Sequence, residues 1–268
     1  MPISTLSGIA AIVLYIASLS FQSHAIRTQN ARIKAGPAVA ATGLAAIALH
    51  GISAWLLVVR PDGYHFGIVQ VSTLILAAIA LLAMITNLRR PLAIIVLWVF
   101  PLAAVTLMLS LLIDSDYPAQ QLTSGLAAHV LLSILAYSLF ALASLQAAFL
   151  AFQNYNLKHQ HASAVIRRFP PLQDMEKLLF ELLWIAQVLL TLAIAAGFMF
   201  VDDLMAQGLP HKTVFSVLAW TVFSVLLWGR YRLGWRGNTA IKGTLAGFAL
   251  LLLGFYGSKI VIEFILGG

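Results

Sequence analysis

The chain has 268 residues, of which 61% are hydrophobic and only 9% charged. A soluble domain carries about a quarter charged residues, so this composition excludes a water-soluble fold. The net charge of +7 would suit a nucleic-acid partner, but the basic residues sit in short loops between apolar blocks, where membrane topology accounts for them and no nucleic-acid role is expected.

The apolar blocks run about 20 residues each, which matches a hydrocarbon core roughly 30 Å thick. They are continuously apolar and do not alternate. The predicted class is therefore an all-α polytopic membrane protein and not a β-barrel. The first span covers 3–22. No basic region precedes it, so it reads as a retained span and not a cleaved signal. The second and third spans are predicted at 37–59 and 68–88. Arg89-Arg90-Pro91 then makes a tight break before the fourth, 91–113. The fifth, 125–152, is followed by the longest polar stretch, Gln153 to Met175. The last three are predicted at 176–200, 211–229 and 243–265. No stretch is long enough for a separate soluble domain, so 1–268 reads as a single integral membrane domain of eight helices in contact with the lipid bilayer.

Basic residues orient the spans. The first, third, fifth and seventh loops hold Arg27, Arg32, Lys34, Arg89, Arg90, Lys158, Arg167, Arg168, Lys177, Arg230, Arg232, Arg236 and Lys242. Only Arg60, Lys212 and Lys259 fall on the other side. The positive-inside rule makes the odd loops cytoplasmic and places both termini outside. In a bacterium this is a multi-pass protein of the cytoplasmic (inner) membrane.

Cysteine is absent, which excludes a disulfide framework, a thiolate metal site and a cysteine nucleophile. A closed four-ligand zinc site is also poorly supplied, because the carboxylates lie mostly in loops. Nothing resembles a nucleophile with its base, so no enzymatic activity is expected. Seven histidines remain. His24, His159 and His161 fall in basic loops and read as solvated side chains or headgroup contacts. His65 and His211 fall at outer span ends and read as interface residues. His50 and His129 lie inside spans, where an ionisable side chain is costly and marks either a functional site or an interhelical hydrogen bond. At ~1.5 Å per residue they lie roughly 14 and 6 Å below the outer boundary. Two neutral imidazoles at such depths could hold haem iron from either side. Further polar residues within spans are Gln70, Gln146, Glu181 and Gln187. Glu181 follows Lys177 by four residues, which suits a local ion pair.

From His129 onward the sequence resembles a known family. The run Ala128-His129-Val130-Leu131-Leu132-Ser133-Ile134-Leu135-Ala136-Tyr137 is similar to the His-Val to Tyr-Ala segment of the CcsA branch of the cytochrome c assembly family. Leu189 to Gly197, then Leu227-Trp228-Gly229-Arg230-Tyr231-Arg232-Leu233-Gly234-Trp235-Arg236-Gly237, then Gly254-Phe255-Tyr256-Gly257-Ser258, continue the resemblance in the same order. The nearest subgroup is a HemX-like set of inner membrane proteins.

The resemblance implies haem handling: members move or present haem at the outer face for attachment to apocytochrome c. It implies a non-covalent, b-type haem and partners among cytochrome assembly or other membrane proteins. His129 matches the first of two family histidines that flank a tryptophan-rich outer loop. His50 has no family counterpart and stands as a second candidate axial ligand on depth and residue type alone. The chain also departs from the pattern. Val201 to Lys212 contains no tryptophan, Trp228 stands where the family has a membrane histidine, and the second flanking histidine would fall near Gly268. A second reading follows from those departures: a haem-free accessory or regulatory subunit that retains the fold alone. A small-solute transporter is a third, disfavoured by the absence of an inverted repeat.

Overall fold

The computed structural model describes residues 2–28, 36–89, 93–114, 118–159, 170–200 and 210–260. Eight helices in these segments are long and apolar enough to cross a membrane. They are α1 (Ile3–Thr28), α2 (Pro37–Val58), α3 (Ile68–Arg89), α4 (Ala93–Leu112), α5 (Ser124–Lys158), α6 (Leu172–Phe200), α7 (Pro210–Leu233) and α8 (Asn238–Leu252). A π-helical turn, Leu253–Gly257, continues α8 into a short α9 (Ser258–Ile260). The eighth helix begins at Asn238, not at residue 243, because the chain reverses at Gly234 and Gly237, with φ of 68° and 55°, just before it. Its expected end at residue 265 lies outside the described residues.

Polarity is arranged as a bilayer requires. On α1, Ile3, Leu6, Ile9, Val13 and Ile16 are exposed, whereas Ala11, Tyr15, Ser18 and Gln22 are buried. With hydrocarbon outside, polar groups find partners only within the bundle. Trp55, Trp98, Trp184 and Trp228 are likewise exposed.

The helices group into two compact units, the first Met1–Gln121 with Ala162–Pro170, the second Leu122–His161 with Pro171–Gly268. In the first, α1 packs on α2, α2 on α3, α3 on α4, and α4 returns to α1. A two-residue hairpin, β1 (Val59–Arg60) with β2 (Gly63–Tyr64), links α2 to α3. His65 Nε2 and Asp62 Oδ2 are 3.0 Å apart, and Arg60 Nη2 lies 3.2 Å from Asp114 Oδ1. The hydrogen bond from His65 is the first cause holding the Asp62 carboxyl below the usual carboxylate range. Gln120 extends the hairpin by bridging to Tyr64.

The second unit closes in the same order: α5 on α6, α6 on α7, α7 on α8, and α8 back onto α5. Its interior is aromatic. The Phe140 and Phe223 rings stack with centroids 3.9 Å apart. Such a pair adds about 0.5–1.5 kcal/mol beyond the area it covers. The three glutamines noted in spans all tie helices together. Gln70 donates to the Ile113 carbonyl at 3.1 Å, Gln146 to Met175 O at 3.1 Å, and Gln187 to Trp220 O at 3.1 Å and Ser224 Oγ at 2.7 Å.

Candidate functional site

His129 lies in the second turn of α5, a helix whose first turn is capped by the Thr123 hydroxyl accepting from Leu126 N–H. Its Nδ1 is 2.8 Å from the backbone carbonyl oxygen of Ala193 on α6. A carbonyl only accepts, so Nδ1 carries the proton and Nε2 of the neutral ring keeps its lone pair. An Nδ1–H to carbonyl bond of this kind orients a metal-ligating imidazole and fixes its tautomer.

Two glycines make this approach possible. A Cβ on Gly197 would stand 3.0 Å from His129 Cε1 and 3.2 Å from Nδ1. Conversely, a Cβ on Gly125 would collide with the Phe200 ring. Each helix therefore offers a gap to a ring of the other: α6 receives His129 at Gly197, and α5 receives Phe200 at Gly125. The imidazole lies against the α6 backbone, half-buried, one ring nitrogen bonded and the other without a hydrogen-bond partner among the described residues.

The runs that carried the family resemblance meet in space. Tyr137, two turns beyond His129, sits among Phe248, Phe255 and Tyr256, with ring centroids 5.7, 5.7 and 6.3 Å away. Two of those rings belong to the π-helical turn, a departure from regular helix that often accompanies function. At the other end of α7, Trp235 folds back so that its ring covers Gly229. Arg230 donates to Glu176 Oε1 at 2.7 Å and to the Trp235 carbonyl at 3.1 Å, while Glu176 Oε2 accepts from Gly237 N–H at 3.1 Å. The conspicuous Gly229–Gly237 segment is thus a latch joining α7, α8 and α6.

His50 is built differently. It is fully buried at the centre of the first unit. Nδ1 is 3.0 Å from the Tyr15 hydroxyl on α1, and Nε2 is 2.9 Å from Thr73 Oγ1 on α3. Tyr15 in turn packs edge-on against Phe100 of α4, centroids 4.8 Å apart. Both ring nitrogens are engaged, so iron reaches His50 only if one hydroxyl gives way. The two histidines belong to different units. Among the described residues, no group of three or more His, Asp or Glu side chains could hold a metal ion.

The cytochrome c assembly protein family model matches residues 10–266. The chain belongs to the cytochrome c assembly protein family. Within this family, it is 31% identical to the inner membrane protein YpjD of Escherichia coli K12 over 262 residues, 96% of this chain and 98% of the relative. More distant relatives match about half of each chain at 26% identity: protein HemX of Brevibacillus brevis, and an uncharacterized 28.8 kDa protein of Azospirillum brasilense. No solved structure matches. As a family member with eight candidate spans, the protein is a multi-pass protein of the bacterial inner membrane.

Of the cytochrome c assembly features expected from sequence, the tryptophan-free segment Val201 to Lys212 lies outside the described residues up to 209, and its last three residues begin α7. Trp228 is 57% exposed, on the outside of its unit and not in its interior. The partners of the two membrane histidines escaped sequence reading. A carbonyl such as that of Ala193 is carried by every residue and leaves no trace in a sequence. Tyr15 did leave one: it shares a helical stripe with Ala11, Ser18 and Gln22, a polar face inside an apolar span. The ion pair between Glu176 and Arg230 was also missed, because 54 residues separate the partners.

Proposed function

We propose that this protein handles haem near the outer face of the inner membrane, in the manner expected of a cytochrome c assembly factor, and binds it non-covalently as b-type haem. The single observation that carries the reading is the His129 ring. Its Nδ1–H is committed to the Ala193 carbonyl, which leaves Nε2 available as an axial ligand. His129 would hold the haem through Nε2, and the bound group would supply an iron centre able to take a neutral imidazole as ligand. The chain's own residues hold the imidazole still and in the right tautomer, with Gly197 giving the ring its room. His50 enters the ligand set only by releasing Tyr15 or Thr73, so His129 is the ligand the geometry favours. The role assigned is presentation or transport, with no catalytic step. Both termini face outside, and partners are other membrane proteins, cytochrome assembly components among them.

Expression with haem supply, purification in detergent and an absorption spectrum test this. The expected result is a Soret band that His129→Ala abolishes. His50→Ala should leave the band in place, with its position unchanged if His50 is not a ligand. A colourless wild-type protein, or an unaltered spectrum in His129→Ala, would overturn the assignment. The departures from the family pattern favour one other reading, a haem-free accessory subunit. A stoichiometric partner copurifying without pigment would support it.

A further inference from the structure

The second unit is packed over one half of its length and open over the other. In the half farther from His129, α5 buries Phe140 and Ala143, and α7 buries Ala219 and Phe223. At the His129 end that burial stops. No residue of 124–135 on α5, nor of 212–218 on α7, is buried. Phe255, Tyr256 and Gly257 of the π-helical turn are only half-buried. In the closed order of this ring, α5 and α7 stand opposite each other. A filled ring would bury one stripe of each, as it does around Phe140. The space between these two helix ends is therefore an open cup. On its α6 side, Ala193 and Gly197 stay buried where they receive His129.

Two kinds of group meet at this end. One is aromatic: Tyr137 with Phe248, Phe255 and Tyr256. The other is cationic. A Cβ on Gly254 would stand 2.9 Å from Phe215 Cβ and 3.7 Å from the Lys212 carbonyl oxygen, so the first turn of α7 lies directly against the π-helical turn. Lys212 is half-buried and has no hydrogen bond or ion pair among the described residues. The charged neighbour that acts on it is a second cation, Lys259, itself 5% exposed. Sequence places only three of the sixteen basic residues on this side of the membrane, and two of them meet here.

Two ammonium groups drawn together and withdrawn from water are costly unless an anion joins them. The depths agree with a shared site. His129 lies eight residues, ~12 Å, beyond Tyr137 toward this end of α5. Lys259 lies three residues, ~5 Å, beyond Tyr256 in the same direction. Imidazole, aromatic wall and lysines thus belong to one end of one unit. A ligand matched to them is flat and apolar, with carboxylates along one edge.

We propose that the cup grips haem by its carboxylate edge: Lys212 pairs with a propionate, Lys259 adds a second positive charge behind it, and Tyr137, Phe255 and Tyr256 flank the macrocycle. The inference rests on the haem reading above and specifies how the ligand is recognised. It requires no iron, so carboxylate recognition and axial ligation are separable.

The probes are iron-free protoporphyrin IX and its dimethyl ester, which has the same ring without the charges. Each is titrated by fluorescence into the purified protein in a neutral detergent. Wild type should bind the free acid about tenfold more tightly than the ester, roughly the worth of one charge-assisted hydrogen bond. Lys212→Gln should remove most of that preference by weakening the free acid alone, and Lys212→Arg should keep it. Lys259→Gln should remove part of it. Lys242→Gln, at the other end of α8, should change nothing. Should Lys259→Gln fail to fold, Lys212→Gln at its half-buried position carries the comparison. Equal affinity for the two porphyrins, binding of neither, or a preference that survives Lys212→Gln overturns the proposal. A Soret band without a free-acid preference refutes the lysine site and not the His129 ligand. A free-acid preference in a protein whose Soret band ignores His129→Ala refutes the ligand and not the lysine site.

Discussion

The two membrane histidines differ in what their partners permit. A carbonyl holds His129 in one tautomer, whereas two hydroxyls, each able to donate or accept, satisfy either neutral tautomer of His50. The first arrangement suits a metal ligand, whereas the second commits both ring nitrogens to bonds between helices. Gly197 becomes the critical small residue of the candidate haem site. In Gly197→Ala the new Cβ would press on His129 Cε1 at 3.0 Å and force the ring to shift or leave the carbonyl. Removing an outer-shell support of this kind typically weakens metal binding about 10–100-fold. We expect Gly197→Ala to fold, to shift the Soret band and to lose haem about tenfold more readily in a competition assay with apomyoglobin. A variant indistinguishable from wild type in both would mean that the close approach does not position the ligand. At this scale the sequence is legible only in part. His129 and His50 stand out because imidazoles are rare in hydrocarbon. Their different partners do not, because these are a backbone atom 64 residues away in one case and hydroxyls on two other helices in the other.

Hydropathy locates all eight helices but misjudges where several stop. It reads the thickness of the bilayer, whereas a helix continues as long as its backbone bonds are satisfied. That is why α5 runs on to Lys158 through the polar residues after 152, and α6 starts at Leu172, before its apolar block. The latch on α7 is an element-scale feature that hydropathy cannot see. The Glu176 carboxylate is shared between Arg230 and the Gly237 amide, with the guanidinium also 4.6 Å from the Phe180 ring centroid. Both partners are largely but not wholly buried, with side-chain exposures of 15% and 28%, so solvent screens part of the attraction. Glu176→Ala leaves a cation and an amide donor short of an acceptor. The expected cost is about 1–3 kcal/mol. It should appear as a lower apparent melting temperature in detergent, with Glu176→Gln intermediate because it still accepts from Gly237 N–H. Equal melting temperatures for wild type and Glu176→Ala would rule out a stabilising latch.

At the scale of the whole chain, the family assignment fits eight membrane helices, and the proposed orientation rests on the charge distribution alone. Phosphatase fused to either terminus should be active, and a fluorescent protein that matures only in the cytoplasm should stay dark at both. A bright fusion at either end would reverse the proposed topology. Each unit closes its four helices into a ring in the same order, although the sequence shows no internal repeat. Short connections and apolar faces are enough to produce that closure, which is why it leaves no matching residues behind. The length of α5 has a further mechanical consequence. Its 35 residues extend ~52 Å at 1.5 Å per residue, well beyond a hydrocarbon core of about 30 Å. It contains no proline, and its single glycine is Gly125 at the second position. A helix of that kind lacks the residues at which helices most often kink. It is one continuous helix with His129 near one tip and Lys158 at the other, so a displacement of the Lys158 end is passed along an unbroken backbone to the turn that holds the imidazole.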